Sequence, residues 1–259
     1  MNANLFFNVP IDFLLTHEHL LRQYPVNAEV FVDGEDLERV DGKQIERVRN
    51  LFEEKHLRRR VHGPISEMVL GAFDPKIREV SCSRFLQAIG FADAIGAESV
   101  TLHSGFDTLN KRNCEDRYTE NLVASLRLLS GEAGRRKKRL MLENTFEAAP
   151  ELLCEALSRV GAENLKLCFD IAHHHVFGRV PLGDWIARCA PLIEEVHITD
   201  NHGAWDDHLA PGTGEIDFAA FFTLLKEHAI RPVFTFEPHD VDAFIETLKY
   251  IDQHPDYFM

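Results

Sequence analysis

Acidic residues and histidines follow short apolar segments along this chain, at spacings that would suit metal ligands. Residues 165–169 are apolar except for Lys166, and they are followed by Asp170 and, three residues later, by His173. Such a segment is typical of a buried parallel strand that carries its last side chain to the carboxyl edge of a sheet. An acid and a histidine one helical turn apart can reach the same metal ion. An aspartate in this position is also a common helix N-cap, so both interpretations stand at this point.

The same arrangement recurs at five further apolar segments. With the loop after the seventh segment included, the histidines and carboxylates at these ends are His62, His103, Glu143, Asp170, His173, His197, Asp206, His208 and Glu237. Burying so many carboxylates and imidazoles together would be very costly unless cations neutralised them. Imidazole and carboxylate without thiolate suit zinc, manganese, iron or cobalt better than copper(I). The sequence therefore predicts a divalent-metal cofactor, zinc or manganese, with one to three ions.

The apolar segments alternate with helical patterns, an arrangement that would bring these side chains together. The predicted strands are residues 5–9, 28–32, 60–62, 99–103, 139–143, 165–170, 195–199 and 232–237. The predicted helices are residues 11–23, 37–55, 75–95, 114–133, 150–160, 181–189, 218–228 and 241–252. Strict alternation over 259 residues predicts an α/β fold, a (β/α)8 TIM barrel that forms a single domain over residues 1–259. The alternative is an open doubly wound sheet, but no glycine-rich phosphate turn follows a strand.

The charge of the chain disfavours a nucleic-acid partner. The net charge is −14, whereas affinity for DNA depends largely on neutralising phosphates. Two basic runs, at residues 58–60 and 135–139, directly precede predicted strands. They would lie at the rim of the barrel away from the candidate ligands, and we interpret them as solvated helix ends favoured by the helix dipole.

The cysteines and the hydropathy indicate a cytoplasmic protein. The five cysteines are odd in number and widely spaced, which is typical of reduced thiols rather than of a disulfide framework. No apolar run reaches the length of a membrane span, and the apolar N-terminal residues lack the basic region of a signal peptide. We therefore expect no membrane partner.

Seven short motifs resemble those of the xylose isomerase-like TIM barrel superfamily. They are HGP at 62–64, LHSG at 102–105, LEN at 142–144, FDIAHH at 169–174, VHITDN at 196–201, DDHLAPGTGEIDF at 206–218 and FEP at 236–238. The resemblance extends from the third strand to the eighth. The superfamily includes sugar-phosphate isomerases and epimerases and also endonuclease IV, so two kinds of chemistry are implied.

In the epimerase branch, the resemblance implies one metal held by positions that match Glu143, Asp170, His197 and Glu237. The two glutamates, Glu143 and Glu237, would also act as the catalytic acid and base. The arginine that this branch usually has after the seventh strand is missing between residues 200 and 215, and the lysine of true xylose isomerases is missing near Glu143. The implied function is a divalent-metal-dependent isomerase or epimerase that acts on a small sugar or sugar phosphate through a metal-stabilised enediolate.

In the endonuclease IV branch, the resemblance implies a site of three metals held by positions matching all nine candidate ligands. All nine are present in this chain, which makes a multinuclear zinc phosphoester hydrolase of the AP endonuclease type the alternative. The acidic surface favours the first function, with a small sugar-like molecule as the partner. A different chemistry on the same barrel, or a non-enzymatic binding protein, is the third alternative.

Candidate substrate contacts lie just after strand ends or in a mouth loop. The aromatic residues Phe106, Phe177 and Trp205 are candidates to line the pocket, although aromatic residues in barrel loops are as often packing residues. Arg179, together with Lys111 and Arg112, is a candidate contact for a phosphate. The sequence leaves the oligomeric state open, and an oligomer is possible.

Overall fold

Eight parallel strands close into a barrel, as the sequence predicts. The structure is a computed structural model that describes residues 4–107 and 114–258. The strands are β1 (Leu5–Pro10), β2 (Asn27–Phe31), β3 (Arg59–His62), β4 (Ser99–His103), β5 (Arg139–Glu143), β6 (Leu165–Asp170), β7 (Ile193–Ile198) and β8 (Val233–Phe236). They are ordered around the barrel as in the chain, and β8 pairs with β1 to close it.

Helices connect consecutive strands on the outside of the barrel. They are α1 (Ile11–Thr16), α2 (Glu18–Gln23), α3 (Gly34–Arg39), α4 (Gly42–Glu54), α5 (Pro75–Ile95), α6 (Glu115–Arg135), α7 (Glu151–Val160), α8 (Ile171–Phe177), α9 (Leu182–Cys189), α10 (Phe218–Glu227) and α11 (Val241–Gln253), followed by a 3-10 turn at Pro255–Tyr257. Within the described ranges, no helix is long and apolar enough to cross a membrane.

The prediction of single helices over residues 11–23 and 37–55 was wrong, because residues 11–23 form α1 and α2, and residues 37–55 contain the end of α3 and all of α4. The second division has a clear local cause. Asp41 accepts a hydrogen bond from the backbone N–H of Gln44, and the Gln44 side chain accepts one from the backbone N–H of Asp41. This capping box starts a new helix. The first division falls at His17, which ends α1 and precedes α2.

The outward residues of the strands form the apolar layer between barrel and helices. Val61, Leu102, Leu142, Phe169 and Val196 are all fully buried in one hydrophobic core. Because successive strand residues face opposite sides, the residue that follows each of them faces the barrel interior. These five inward positions are candidate ligands: His62, His103, Glu143, Asp170 and His197.

The layer of the barrel interior below the candidate ligands is polar. Thr101 donates a hydrogen bond to Glu29 at 2.7 Å, and Thr235 donates one to Glu195 at 2.8 Å. Arg60 lies 2.7 Å from a carboxylate oxygen of Glu195, and both side chains are almost completely buried. The interpretation of residues 58–60 as a solvated run is therefore wrong for Arg60, whose charge lies inside the barrel beside a carboxylate.

Candidate metal centre

The strand register places candidate ligands from neighbouring strands side by side. His103 at the end of β4 pairs with Glu143 at the end of β5. Asp170 at the end of β6 pairs with His197 near the end of β7. All four side chains are buried. The carboxyl ends of the strands therefore bring distant parts of the sequence into one small volume, as expected for a barrel of this kind.

Glu143 contacts four histidines, including His197, whose Nδ1 lies 3.5 Å from Oε2. One of its oxygens, Oε2, lies 3.1 Å from Nε2 of His62 and 3.1 Å from Nε2 of His103. The other, Oε1, lies 3.2 Å from Nδ1 of His173. The two carboxylate oxygens thus face different sets of imidazoles, which is the arrangement of a carboxylate that can bind more than one cation.

His197 is completely buried between carboxylates. Its Nδ1 lies 3.3 Å from Oε1 of Glu237 and 3.5 Å from Oε2 of Glu143, and its Nε2 lies 3.4 Å from Oε2 of Glu29. Among the described residues, neither ring nitrogen has a partner in hydrogen-bonding geometry. An imidazole nitrogen that is buried, surrounded by carboxylates and unbonded fits a metal ligand, because leaving it without any partner would be costly.

The structure shows Asp170 as a helix cap, and its role as a metal ligand stays a prediction. Its Oδ1 accepts a hydrogen bond of 2.6 Å from the backbone N–H of His173 and so caps α8. Its Oδ2 lies 3.6 Å from Nδ1 of His173. The backbone of Asp170 is held by Asn144, whose side chain exchanges two hydrogen bonds of 2.9 Å with it. The cap therefore fixes the carboxylate beside the other candidate ligands.

Asp206 and His208 reach the cluster from the loop after β7. Oδ2 of Asp206 lies 3.1 Å from Nε2 of His173 and 2.9 Å from Nε2 of His208. Nδ1 of His208 lies 3.8 Å from Oε2 of Glu237. The loop is shaped by Asp200, whose carboxylate accepts four backbone hydrogen bonds, from residues 201, 212, 214 and 216. All nine candidate ligands are thus linked by short contacts.

The pKa shifts in the cluster reveal its excess of negative charge. Burial alone would lower the pKa of a histidine, yet the neighbouring carboxylates raise the pKa of His62 and of His208 to about 9. The pKa of His197 is also raised well above its ordinary value. Burial raises the pKa of Asp170 to about 7, whereas the imidazoles lower the pKa of Glu143 despite its burial. Positive charge is needed here, and divalent cations would replace these protons on binding.

The donor set fits divalent metal ions. Donor atoms lie within 4.8 Å of one another in the group Glu143, Asp170 and His173 and in the group Glu29, His197 and Glu237. The single-cation set of Glu143, Asp170, His197 and Glu237 stays a prediction, and its three carboxylates and one imidazole suit zinc or manganese. The remaining candidate donors surround this set: His62, His103, His173, Asp206 and His208.

Glu29 is a functional candidate that the sequence interpretation missed. It is fully buried on β2 and contacts Nε2 of His197 on the side away from Glu143. The side-chain amide of Asn8 donates to Glu29 at 3.1 Å and to Glu237 at 3.2 Å. A carboxylate behind a ligating histidine fixes the tautomer and orientation of the ring. The available signal was a single acid inside an otherwise apolar strand segment.

We predict that Glu29→Gln weakens divalent-metal binding about 10- to 100-fold, since removal of an outer carboxylate typically costs that much. The measurement is competition with a chelator of known affinity. Glu98→Gln is the control, because Glu98 pairs with Arg58 at the opposite end of the barrel and should leave affinity unchanged. Equal affinities for the wild type and Glu29→Gln would exclude this role.

The predicted substrate contacts occupy different environments. Phe106 is buried and packs on Tyr118, with ring centroids 5.0 Å apart. Phe177 lies 6.2 Å from the ring of His173, close to the cluster, and Trp205 is 74% exposed on the loop after β7. Arg179 donates to the carbonyl oxygens of residues 176 and 178. Their role in substrate binding stays a prediction, and Lys111 and Arg112 lie outside the described residues.

The fold agrees with comparisons to known proteins. A family model described as xylose isomerase-like TIM barrel matches residues 27–256. The chain belongs to this family.

Three solved structures are similar to the chain over nearly its whole length. A D-tagatose 3-epimerase-like protein has a TM-score of 0.86, with 21% identity over 98% of this chain and 97% of that one. The TTHB071 protein of Thermus thermophilus, soaked with ZnCl2, has a TM-score of 0.81, with 26% identity over 96% and 97%. D-psicose 3-epimerase of Clostridium cellulolyticum has a TM-score of 0.79, with 15% identity over 98% and 99%. For the two epimerase structures, which are 21% and 15% identical to this chain, the similarity shows a shared fold only.

Proposed function

We propose that this protein is a divalent-metal-dependent isomerase or epimerase that acts on a small polyhydroxylated carbonyl compound. The observation that carries the proposal is the convergence of Glu143 and Glu237 on the same nitrogen of buried His197, at 3.5 and 3.3 Å. The similarity to structures named as sugar epimerases supports a sugar-like substrate. Zinc or manganese is the proposed cation.

The cation, held by Glu143, Asp170, His197 and Glu237, would supply Lewis-acid polarisation of adjacent carbonyl and hydroxyl oxygens of the substrate. The two glutamates move the proton. Glu143 ends β5 and Glu237 follows β8, three strands further around the barrel, so they approach a substrate from different sides. One carboxylate would remove the proton from the carbon beside the carbonyl. The other would return a proton either to the same carbon from the opposite side, which gives the epimer, or to the former carbonyl carbon, which gives the isomer.

The surrounding residues hold these two carboxylates in place. Asn8 donates to Glu237, while His62 and His103 contact Glu143. Glu143 is almost completely buried, so its carboxylate has little contact with solvent. The lowered pKa of Glu143 keeps it in the carboxylate form that a base requires.

Interconversion of ketohexoses tests the proposal. The protein, loaded with Mn²⁺ or Zn²⁺, is incubated with D-tagatose or D-fructose, and the products are separated by chromatography. We expect a C3 epimer or an aldose to accumulate. A metal-loaded protein that converts neither of the two sugars nor their substituted derivatives would contradict the proposal.

A multinuclear phosphoester hydrolase is the second candidate, and a specific observation favours it. His62, His103, His173, Asp206 and His208 are not needed by a one-metal isomerase, yet all lie within contact distance of the other ligands. Two or three cations could activate water and stabilise a leaving oxygen. Elemental analysis of the wild type and of His173→Ala separates the two candidates. If all nine candidate ligands bind metal, the substitution lowers the number of bound ions. One ion per chain in both the wild type and the variant favours the isomerase.

A further inference from the structure

A cavity of about 360 Å³ lies directly beside the candidate metal centre, between the first helices of the chain and the last one. Ligand sites in proteins commonly have volumes of about 300 Å³ or more. The volume exceeds what a single benzene ring needs, since an engineered cavity of about 150 Å³ binds benzene. The cavity is therefore large enough for a chemical group bigger than one benzene ring.

Most of the cavity wall is apolar, and much of it comes from aromatic rings and leucines of α1, α2, β2 and α11. These residues are Phe13, Leu14, Leu20, Leu21, Phe31 and Phe244. Leu14 and Leu21 are buried, whereas Phe13 is 37% exposed and stacks on His17 with ring centroids 4.2 Å apart. Binding of an apolar group against this wall is favourable, because it removes apolar surface from water. The wall offers few hydrogen-bond partners to hydroxyl groups.

The polar side chains nearest the metal centre form one contiguous group in the wall. Asn8 donates to Glu237, Glu237 lies beside His208, and the ring of His208 stacks on that of His239 with centroids 4.0 Å apart. Glu237 and His208 are also members of the candidate ligand set, so the cavity and the metal centre share two side chains. A molecule with a polar end on the cation could extend an apolar end into the cavity.

The charges of the wall argue against a phosphate at this end of the substrate. Among the described residues that line the cavity there is no lysine or arginine, and Glu237 and Asp240 are acidic. The wall histidine with a raised pKa, His208, already pairs with Asp206 and Glu237. Phosphate sites normally present cationic side chains or a free helix N-terminus. The N-terminus of α11 is already capped by Asp240, which accepts from the backbone N–H of Ala243 at 2.8 Å.

We infer that the substrate is a polyhydroxylated carbonyl compound with an uncharged apolar substituent, of one or two rings or an equivalent alkyl chain, that fills this cavity. The inference rests on the proposed function, because the polar end of the molecule is placed on the metal centre. Phe13, Leu20 and Phe244 are then specificity-determining residues that select the substituted compound over a free sugar.

Two hydroxamates test the inference by binding alone. Both chelate a divalent cation through the same two oxygens, but acetohydroxamate ends in a methyl group and 3-phenylpropanohydroxamate adds a phenyl group on a flexible linker. Calorimetric titration of the metal-loaded protein should show that the phenyl compound binds about 30-fold more tightly, as expected for burial of one aromatic ring.

Substitutions in the cavity wall should remove the preference for the phenyl compound without changing how the hydroxamate group binds the cation. Leu20→Trp fills the cavity, and Phe13→Asp places a charge in a partly exposed part of its wall. Each should reduce the preference to below about threefold while acetohydroxamate binds as in the wild type. Leu128→Asp is the control, because Leu128 is 51% exposed on α6, away from the cavity, and should retain the full preference.

The outcomes separate this inference from the proposed function. If both hydroxamates bind the wild type equally, or if both wall variants keep the preference, the apolar substituent is excluded and the metal centre stands. If neither hydroxamate binds the metal-loaded protein, the cation offers no open position to a substrate, and the proposed function and the inference both fail.

Discussion

Glu143→Gln and Glu237→Gln should each lower kcat for the proposed sugar interconversion by about 10³-fold, which is the size of effect that loss of a general acid or base produces. An amide has nearly the shape of the carboxylate but cannot accept the carbon-bound proton. Because both glutamates approach His197, the substitutions also weaken the metal site. The measurement is therefore initial rates at saturating cation, with metal content determined on the same samples.

Glu215→Gln is the matched control for these two substitutions. Glu215 lies in the loop after β7, and its side chain is 69% exposed, so its replacement should leave kcat within about twofold, since exposed substitutions seldom matter. Circular dichroism should show the same fold in all three variants. A metal-loaded Glu143→Gln protein with undiminished turnover would remove Glu143 from the mechanism.

Removal of the cation should abolish activity and lower the Tm by about 10 °C. A ligand at a thousand times its Kd stabilises a protein by about 4 kcal/mol, and a domain of this size gains about 2–4 °C per kcal/mol. The measurement is thermal unfolding with and without a chelator, followed by addition of Mn²⁺ or Zn²⁺. A Tm that is unchanged by chelation and by metal addition would mean that the cluster does not bind a cation.

The same cluster predicts how metal affinity depends on pH. His62 and His208 bind protons with a pKa of about 9 because carboxylates surround them. A cation that takes their place, or lies beside them, must displace these protons, so the apparent affinity rises as the pH increases towards 9 and falls as the site is acidified. Titrations at pH 6, 7 and 8 would show this trend, and a pH-independent affinity would contradict it.

Much of the site could be predicted because barrel geometry turns sequence position into spatial position. His62, His103, Glu143 and Asp170 end consecutive strands, and the ends of parallel strands meet at one rim. Asp170 shows the limit of such an argument, because a helix cap and a metal ligand were treated as alternatives. In the structure one oxygen accepts from the backbone N–H of His173 and the other faces the ring of the same residue, so the cap leaves the second oxygen directed at the candidate ligands.

Other features depend on contacts that a sequence pattern does not contain. Glu29 is an acid within the strand Asn27–Phe31, but the sequence does not indicate that it contacts a histidine from β7. That contact depends on which side chains share a layer inside the barrel. The division of residues 11–23 into two helices was also missed. Residues of both α1 and α2 line the apolar cavity. The cavity, on which the inferred apolar substituent depends, could therefore not be predicted from the sequence.

Exchange of a carbon-bound hydrogen with solvent is the most direct test of the central claim that Glu143 and Glu237 transfer a proton at a metal centre. The metal-loaded wild type is incubated in D2O with ketohexoses, with and without a benzyl ether substituent, and the sugars are analysed by NMR. We predict deuterium at the carbon beside the carbonyl, and no such exchange after chelation of the metal. Hydrolysis of a phosphoester by the same preparation, with no deuterium incorporated into any of these sugars, would contradict the account.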